Sequence, residues 1–336
     1  MQIIQNRRRF MFGLAAGTVG IVAAPRLALA EPPPETTKVR LPVFVNVSDC
    51  QSPMYVAEEL LRAEGFTDIS FVSSGTGPDS SDWLAHDEID FDWNYPAVQV
   101  RSLANGIPIK VLAGMHGGCL ELIVNDNVRD VPDLKGKRVG VDAVNGISYL
   151  LLMIITAYVG LDPTTDIQWV SSPDSLQDMV DGKIDAFLGG PPQPQEARRR
   201  HIGRVILNTR IDHPWSQYFC CMLSTSAAYV DRNPVASKRV LRAMLKAVDL
   251  CVSNPDQVAR GVIEKGFATS YDDALRTMTD VRYDAWREFD PEDSMRFYAL
   301  RLQETGIVNA DISVKRIISE GTDWRFLNEL KHELKT

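Results

Sequence analysis

Lys137-Arg138-Val139-Gly140-Val141 opens the stretch whose reading decides the fold. It reads as a short strand, and a strongly apolar helix follows over 148–159, closed by Gly160. A second strand is read at 167–170 and a helix at 175–180. A third strand, Ile184-Asp185-Ala186-Phe187-Leu188, runs into Gly189-Gly190-Pro191-Pro192. Alternating strands and helices at a spacing of about 20 residues predict a mainly parallel sheet covered by helices. The same grammar occurs upstream, with strands at 39–47, 69–72, 89–93 and 109–113 and helices at 53–64, 81–85 and 97–104. The apolar runs 120–124 and 219–223 read as two crossings between these units. The expectation is therefore two α/β lobes joined by a hinge, followed by helices at 235–252, 255–265, 271–278, 291–305 and 324–334.

Composition is that of a globular protein: 336 residues, 45% hydrophobic and 24% charged. Residues 1–30 hold four arginines and no acid, which leaves 32 basic against 44 acidic side chains in the remainder. An evenly acidic surface argues against nucleic acid as a partner, which needs clustered Lys and Arg. Asn6-Arg7-Arg8-Arg9-Phe10, a run of about 13 apolar residues and Ala28-Leu29-Ala30 follow one another in the order of a cleavable export signal. Paired arginines, a spacer and Phe resemble a twin-arginine signal, so passage through the twin-arginine translocase into the periplasm is expected. Residues 31–37, with Pro32-Pro33-Pro34, read as a stiff lead-in.

Several segments together resemble the substrate-binding proteins of bacterial ABC importers, in the group serving nitrate, sulfonates, taurine and thiamine-precursor pyrimidines. The carriers are Val131 with the ten residues to Val141, Gly160-Leu161-Asp162-Pro163, Met179-Val180-Asp181-Gly182-Lys183-Ile184-Asp185-Ala186-Phe187, and the paired Asn233-Pro234 and Asn254-Pro255. The resemblance implies a two-lobed, type II periplasmic binding protein fold. It places 38–122 with about 224–336 in lobe 1 and 123–223 in lobe 2. It also implies solute delivery to permease subunits, with no cofactor and no enzymatic activity. A ligand-sensing role remains an alternative on the same fold. So does a thiamine-pyrimidine synthase, although the cysteine-rich motif of those enzymes is not reproduced by Cys220-Cys221.

Open α/β sheets bind ligands beyond the carboxyl ends of their strands. Ser48 and Gln51 follow the first strand, as ligand donors or helix caps. Ser74, Gly75 and Thr76 follow the second, as a ligand loop or an ordinary turn. Asp92-Trp93-Asn94-Tyr95 at the third strand end combines an acid, an amide and two aromatic faces. His116 ends the next loop candidate. In the second unit Asn145, Gly146 and Ser148 precede the apolar helix, a turn that the resemblance assigns to the ligand. Gly190 and Gln193 shape a Gly/Pro mouth, and Trp215 covers the ligand or packs at the hinge. These loops contain no Lys or Arg, so a nitrogenous, cationic or aromatic solute is expected. A small anion held by backbone N–H groups is the alternative. Cys50 and Cys119, both at strand ends, are candidates for a disulfide, and no metal is expected.

Overall fold

Short apolar runs stopped by Gly, Pro or Asn become strands, and those at Phe91–Asn94 and Ala186–Gly189 are buried along their whole length. The structure, a computed structural model, describes residues 31–43, 49–76 and 79–335, of which residues 33–335 pack as one unit. The export signal at 1–30, most of the second half of the strand read at 39–47, and Ser48 lie outside the described residues.

The strands are β1 (Lys38–Pro42), β2 (Asp68–Val72), β3 (Phe91–Asn94), β4 (Ile109–His116), β5 (Glu121–Val124), β6 (Arg138–Val141), β7 (Gln168–Ser171), β8 (Ala186–Gly189), β9 (Arg204–Asn208) and β10 (Cys221–Ser226). β1 and β2 pair in parallel. β10 lies between β3 and β4 and runs antiparallel to both. The largest sheet has the order β7-β6-β8-β5-β9, with β6 parallel to β7 and β8, and β5 antiparallel to β8 and β9. The sheets are therefore mixed. The expected parallel core is present, and the two crossing segments, β5 and β10, supply the antiparallel pairs. All five strands of the largest sheet come from residues 121–208.

The helices are α1 (Ser52–Val56), α2 (Glu58–Ala63), α3 (Ser80–Ala85), α4 (Pro96–Ala104), α5 (Ile147–Tyr158), α6 (Ser175–Val180), α7 (Gln193–Arg200), α8 (Ala227–Arg232), α9 (Pro234–Ser253), α10 (Pro255–Glu264), α11 (Tyr271–Asp280), α12 (Ala285–Glu288), α13 (Pro291–Glu304), α14 (Val314–Gly321) and α15 (Arg325–Glu333). The single helix read at 53–64 is two, because Ala57 has ψ −6° and breaks the ladder between α1 and α2. None of these helices is long and apolar enough to cross a membrane.

α5 carries the packing between the sheets. Every residue from Leu150 to Thr156 is buried, and the helix lies against β8 of the largest sheet as well as α4 and α13. A second small core, Ile123, Leu176, Met179, Ile184, Phe187, Ala197 and Ile202, fills a separate apolar cluster built on β5 and β8. Replacing Leu152, wholly buried, by Ala removes apolar contacts that its close-packed neighbours cannot restore. The cost is about 2–5 kcal/mol, read as a lowered urea midpoint. The same change at half-exposed Val159 costs under about 0.5 kcal/mol.

Candidate functional site

The carboxyl ends of β3 and β4 and the turn at Asp49–Gln51 bring one group of side chains together. Period-2 alternation along β3 sorts its residues. Asp92 and Asn94 point to the α3 side, where Asn94 Nδ2 donates to Ser80 Oγ at 3.1 Å and to Asp92 Oδ2 at 3.3 Å. Trp93 turns the other way, with its ring 6.0 Å from that of His116. Its carbonyl accepts from Gln51 Nε2 at 3.1 Å, which ties the Asp49–Gln51 turn to β3. Tyr95 caps the strand, its ring 5.0 Å from Tyr298. The Trp93 indole N–H is buried and has no hydrogen-bond partner among the described residues, and the buried Tyr95 hydroxyl lies beside that of Tyr298.

Asp92 is wholly buried. Burial pushes its carboxyl up to about 7, opposed by hydrogen bonds from Ser80 and Asn94 and helped by nearby Asp79. Asp92 lies on the α3 side with Asn94 and Ser80, away from the Trp93 ring, so it is not placed as a counter-ion for a cation held by that ring. Trp93 and Tyr95 present hydrogen-bond donors rather than open ring faces. The expected cationic or aromatic solute is not supported.

His116 is also wholly buried. Its Nδ1 lies 2.7 Å from the Gly117 carbonyl and donates to it, which leaves Nε2 with no oxygen or nitrogen partner among the described residues, with the Cys50 thiol beside the ring. Around this ring the cysteines converge. The donor atoms of Cys50, His116 and Cys119 all lie within 4.8 Å of one another. Cys119 Sγ is 3.3 Å from Cys220 Sγ, and Cys221 hydrogen-bonds Cys50. No disulfide joins them, so the Cys50–Cys119 bond is absent, and the sulfur nearest to Cys119 belongs to Cys220. Hydrogen bonds from the Cys119 and Cys221 thiols hold the Cys50 thiol well below its ordinary range. Burial opposes charging of His116, yet Cys50 beside it raises the imidazole to about 9. Along a regular strand the adjacent Cys220 and Cys221 would face opposite ways. A bulge in β4 sets Cys221 opposite His116 and Met222 opposite Gly114, and Cys220 precedes the regular strand, so both reach the same group. Strand alternation concealed this.

The other expected residues are placed differently. Ser74, Gly75 and Thr76 are exposed, and Thr76 donates through N and Oγ1 to the Glu88 carboxylate, both at 2.6 Å. This is a turn closed on itself. Asn145 has φ +68° and Gly146 is the N-cap of α5, whose first turn no side chain caps, while the Ser148 hydroxyl donates to Asp142. The Gly190 carbonyl accepts from the Gln193 N–H at 3.0 Å, which begins α7. Trp215 is buried between the rings of Tyr158 and Phe297, at 5.6 and 6.0 Å. It packs rather than covers.

The family model described as NMT1-like matches residues 32–263. The chain belongs to the NMT1-like family. Nitrate/nitrite binding protein NrtA of Nostoc sp. is 22% identical over 259 residues, covering 66% of this chain and 55% of that protein. Bicarbonate-binding protein CmpA of Synechococcus elongatus is 28% identical over 109 residues, 32% of this chain and 24% of that one. The chain thus spans about half or less of the length of these curated relatives. The crystal structure of the periplasmic nitrate-binding protein NrtA from Synechocystis superposes with a TM-score of 0.79 at 17% identity, covering 90% of each chain. This NMT1-like chain therefore has the periplasmic binding protein fold.

The buried Asp92 carries a pH signature. Its native value, about 7, lies above the ordinary 3.8. Between these limits the folded chain keeps a proton that the unfolded chain has lost, so stability falls as pH rises through that window and levels above it. Urea unfolding of wild type against Asp92→Asn at pH 4.5 and 7.5 reads the difference. The wild type loses up to about 1.4 kcal/mol per pH unit relative to the variant. Parallel profiles would refute the assignment.

Proposed function

We propose that this chain is an extracytoplasmic binding protein that captures a small oxyanion, of the size of nitrate, bicarbonate or a sulfonate head group, and presents it to the permease subunits of an ABC importer. The observation that carries the reading is the buried Trp93 Nε1–H, without a partner among the described residues, beside the Tyr95 hydroxyl at the end of β3. An indole N–H can only donate, so its complement is an acceptor. α4 begins directly after Tyr95 with no side-chain cap. The α5 N-terminus at Asn145, Gly146 and Ser148 offers further N–H groups from the second sheet. The names of the relatives, nitrate/nitrite and bicarbonate binding proteins, agree with this chemistry.

In this reading residues 38–122 with 224–336 form one lobe and 123–223 the other, and closure brings the two helix starts to one solute. Export by the twin-arginine route delivers the chain to the periplasm, where it acts without a cofactor and catalyses no reaction. Gly190 and Gln193 line the second lobe's rim, and Trp215 steadies the crossing.

Calorimetric titration of the mature chain with nitrate, bicarbonate and an alkanesulfonate, against a quaternary amine and an aminopyrimidine, tests the proposal. One of the anions binds and quenches indole fluorescence. Trp93→Phe keeps the ring and removes the N–H, and it weakens that binding at least tenfold, about the worth of one charge-assisted hydrogen bond. Binding of the amine or the pyrimidine alone would sink the oxyanion reading.

A further inference from the structure

Four of the five cysteines gather around one imidazole, and the oxyanion reading uses none of them. Cys50 comes from the turn before α1, His116 from the end of β4, Cys119 from the segment leading into β5, and Cys220 from the segment leading into β10. These are four separate stretches of chain. Each side chain is at least nine-tenths buried. We propose that Cys50, His116, Cys119 and Cys220 form a metal site for a thiophilic d10 cation, zinc(II) in the first instance, which ties the two crossing segments to the end of β4.

Three observations support the site. First, three of the four donors already stand within reach of one ion. Zinc–sulfur bonds of about 2.3 Å set sulfurs about 3.8 Å apart. The Cys50, His116 and Cys119 donor atoms lie within 4.8 Å of one another, and Cys220, outside that group, stands 3.3 Å from Cys119. The Cys220 side chain would have to turn toward the other three to complete the site. Second, His116 is held as metal-bound histidines are. Its Nδ1–H donates to the Gly117 carbonyl, and Nε2 is left buried, with no oxygen or nitrogen partner among the described residues. Third, the donor set is selective. Three sulfurs and one imidazole suit zinc or copper(I) and disfavour magnesium or calcium, which take oxygen ligands. Four protein ligands leave no open coordination position, so the metal is structural rather than catalytic. Binding displaces the thiol protons to solvent and needs no oxidant. Cys221 hydrogen-bonds Cys50 and serves as a neighbour to the ligated sulfur. Cys251, on α9 with its thiol toward the Ala247 carbonyl, lies outside the group and provides an internal control.

The test uses the mature chain purified under reducing, metal-free conditions and then supplied with zinc(II) against a chromophoric chelator. One equivalent per chain binds, and thermal unfolding shifts upward with zinc. Cys119→Ser and His116→Ala each weaken zinc at least about a hundredfold, beyond the 10–100-fold typical of losing an outer-shell partner. Cys251→Ser leaves it unchanged. Should the variants fail to fold, cobalt(II) loading of the wild type decides. Absorption bands of a tetrahedral, thiolate-ligated cobalt support the site, and their absence in folded protein overturns it. Equal loss in Cys251→Ser overturns it too. A Cys119–Cys220 disulfide in protein taken directly from the periplasm without reductant would also overturn it, by showing a redox pair instead. The anion titrations do not depend on any of these outcomes, so the two proposals stand or fall separately.

Discussion

The antiparallel pairing of β10 with both β3 and β4 is the constraint on which the site depends. The chain leaves this sheet after β4, builds the five-stranded sheet from residues 121–208, and returns to lie between two strands already in place. The return is pinned where the crossings pass one another. Cys220 N–H donates to the His116 carbonyl at 2.9 Å, the Thr209 N–H donates to the Leu120 carbonyl at 2.9 Å, and the Leu120 N–H donates to the Thr209 side-chain hydroxyl oxygen at 2.9 Å. Gly118 makes this approach possible. A Cβ there would stand 2.2 Å from the Thr209 carbonyl oxygen, a backbone atom that cannot rotate away.

That tie gives the strand ends a common floor, and alternation along β3 then divides the chemistry. Asp92 and Asn94 are consumed by Ser80 on one side, while Trp93 faces His116 on the other. Two residues adjacent in sequence thus do opposite things. On the oxyanion proposal, the division also bears on how an acidic protein would favour an anion. The excess negative charge acts at long range, where salt screens it beyond about 8 Å. Short-range N–H and O–H donors in a water-poor setting act at contact, where the dielectric is low and each hydrogen bond is strong. Asp92, held neutral by burial, adds little repulsion there below about pH 7.

The fold was legible because its signals were redundant. Helix 175–180 was read with its observed bounds, and β6, α5 and α9 differ by a residue or two at their ends. In each, apolar period and a terminating Gly or Asn agree. α7 escaped because Gln193–Arg200 buries only Pro194, Gln195 and Ala197 and carries three arginines, so no apolar stripe announces it. β9 escaped as a short, half-exposed strand at a sheet edge. Of the candidate site, Trp93, Tyr95 and His116 stand at strand ends as chemistry-bearing residues of buried strands, a placement that the sequence pattern marks. The ligand class was misread because composition counts an acid without saying which face it occupies. Ser74–Thr76 looked like a binding loop for the same reason: a Gly-rich turn has one sequence signature whether it closes on a solute or on Glu88.

The cysteines expose the deeper limit. Their convergence depends on a bulge near Met115 that resets the register of β10 by one residue. A one-residue reset reverses which way a side chain points. No local pattern in β10 encodes it, because the extra residue lies in β4, a partner far away in sequence. Its consequence is mechanical as well as chemical. Cys119 and Cys220 sit at the start of one crossing and the end of the other, beside the backbone bond from Cys220 to His116. A cation bridging them would stiffen the crossings at their root, whatever bends beyond it. Trp93 and Tyr95 stand at the end of β3, beside β10, so the same bridge would hold the ends of β3 and β4 fixed against the returning strand.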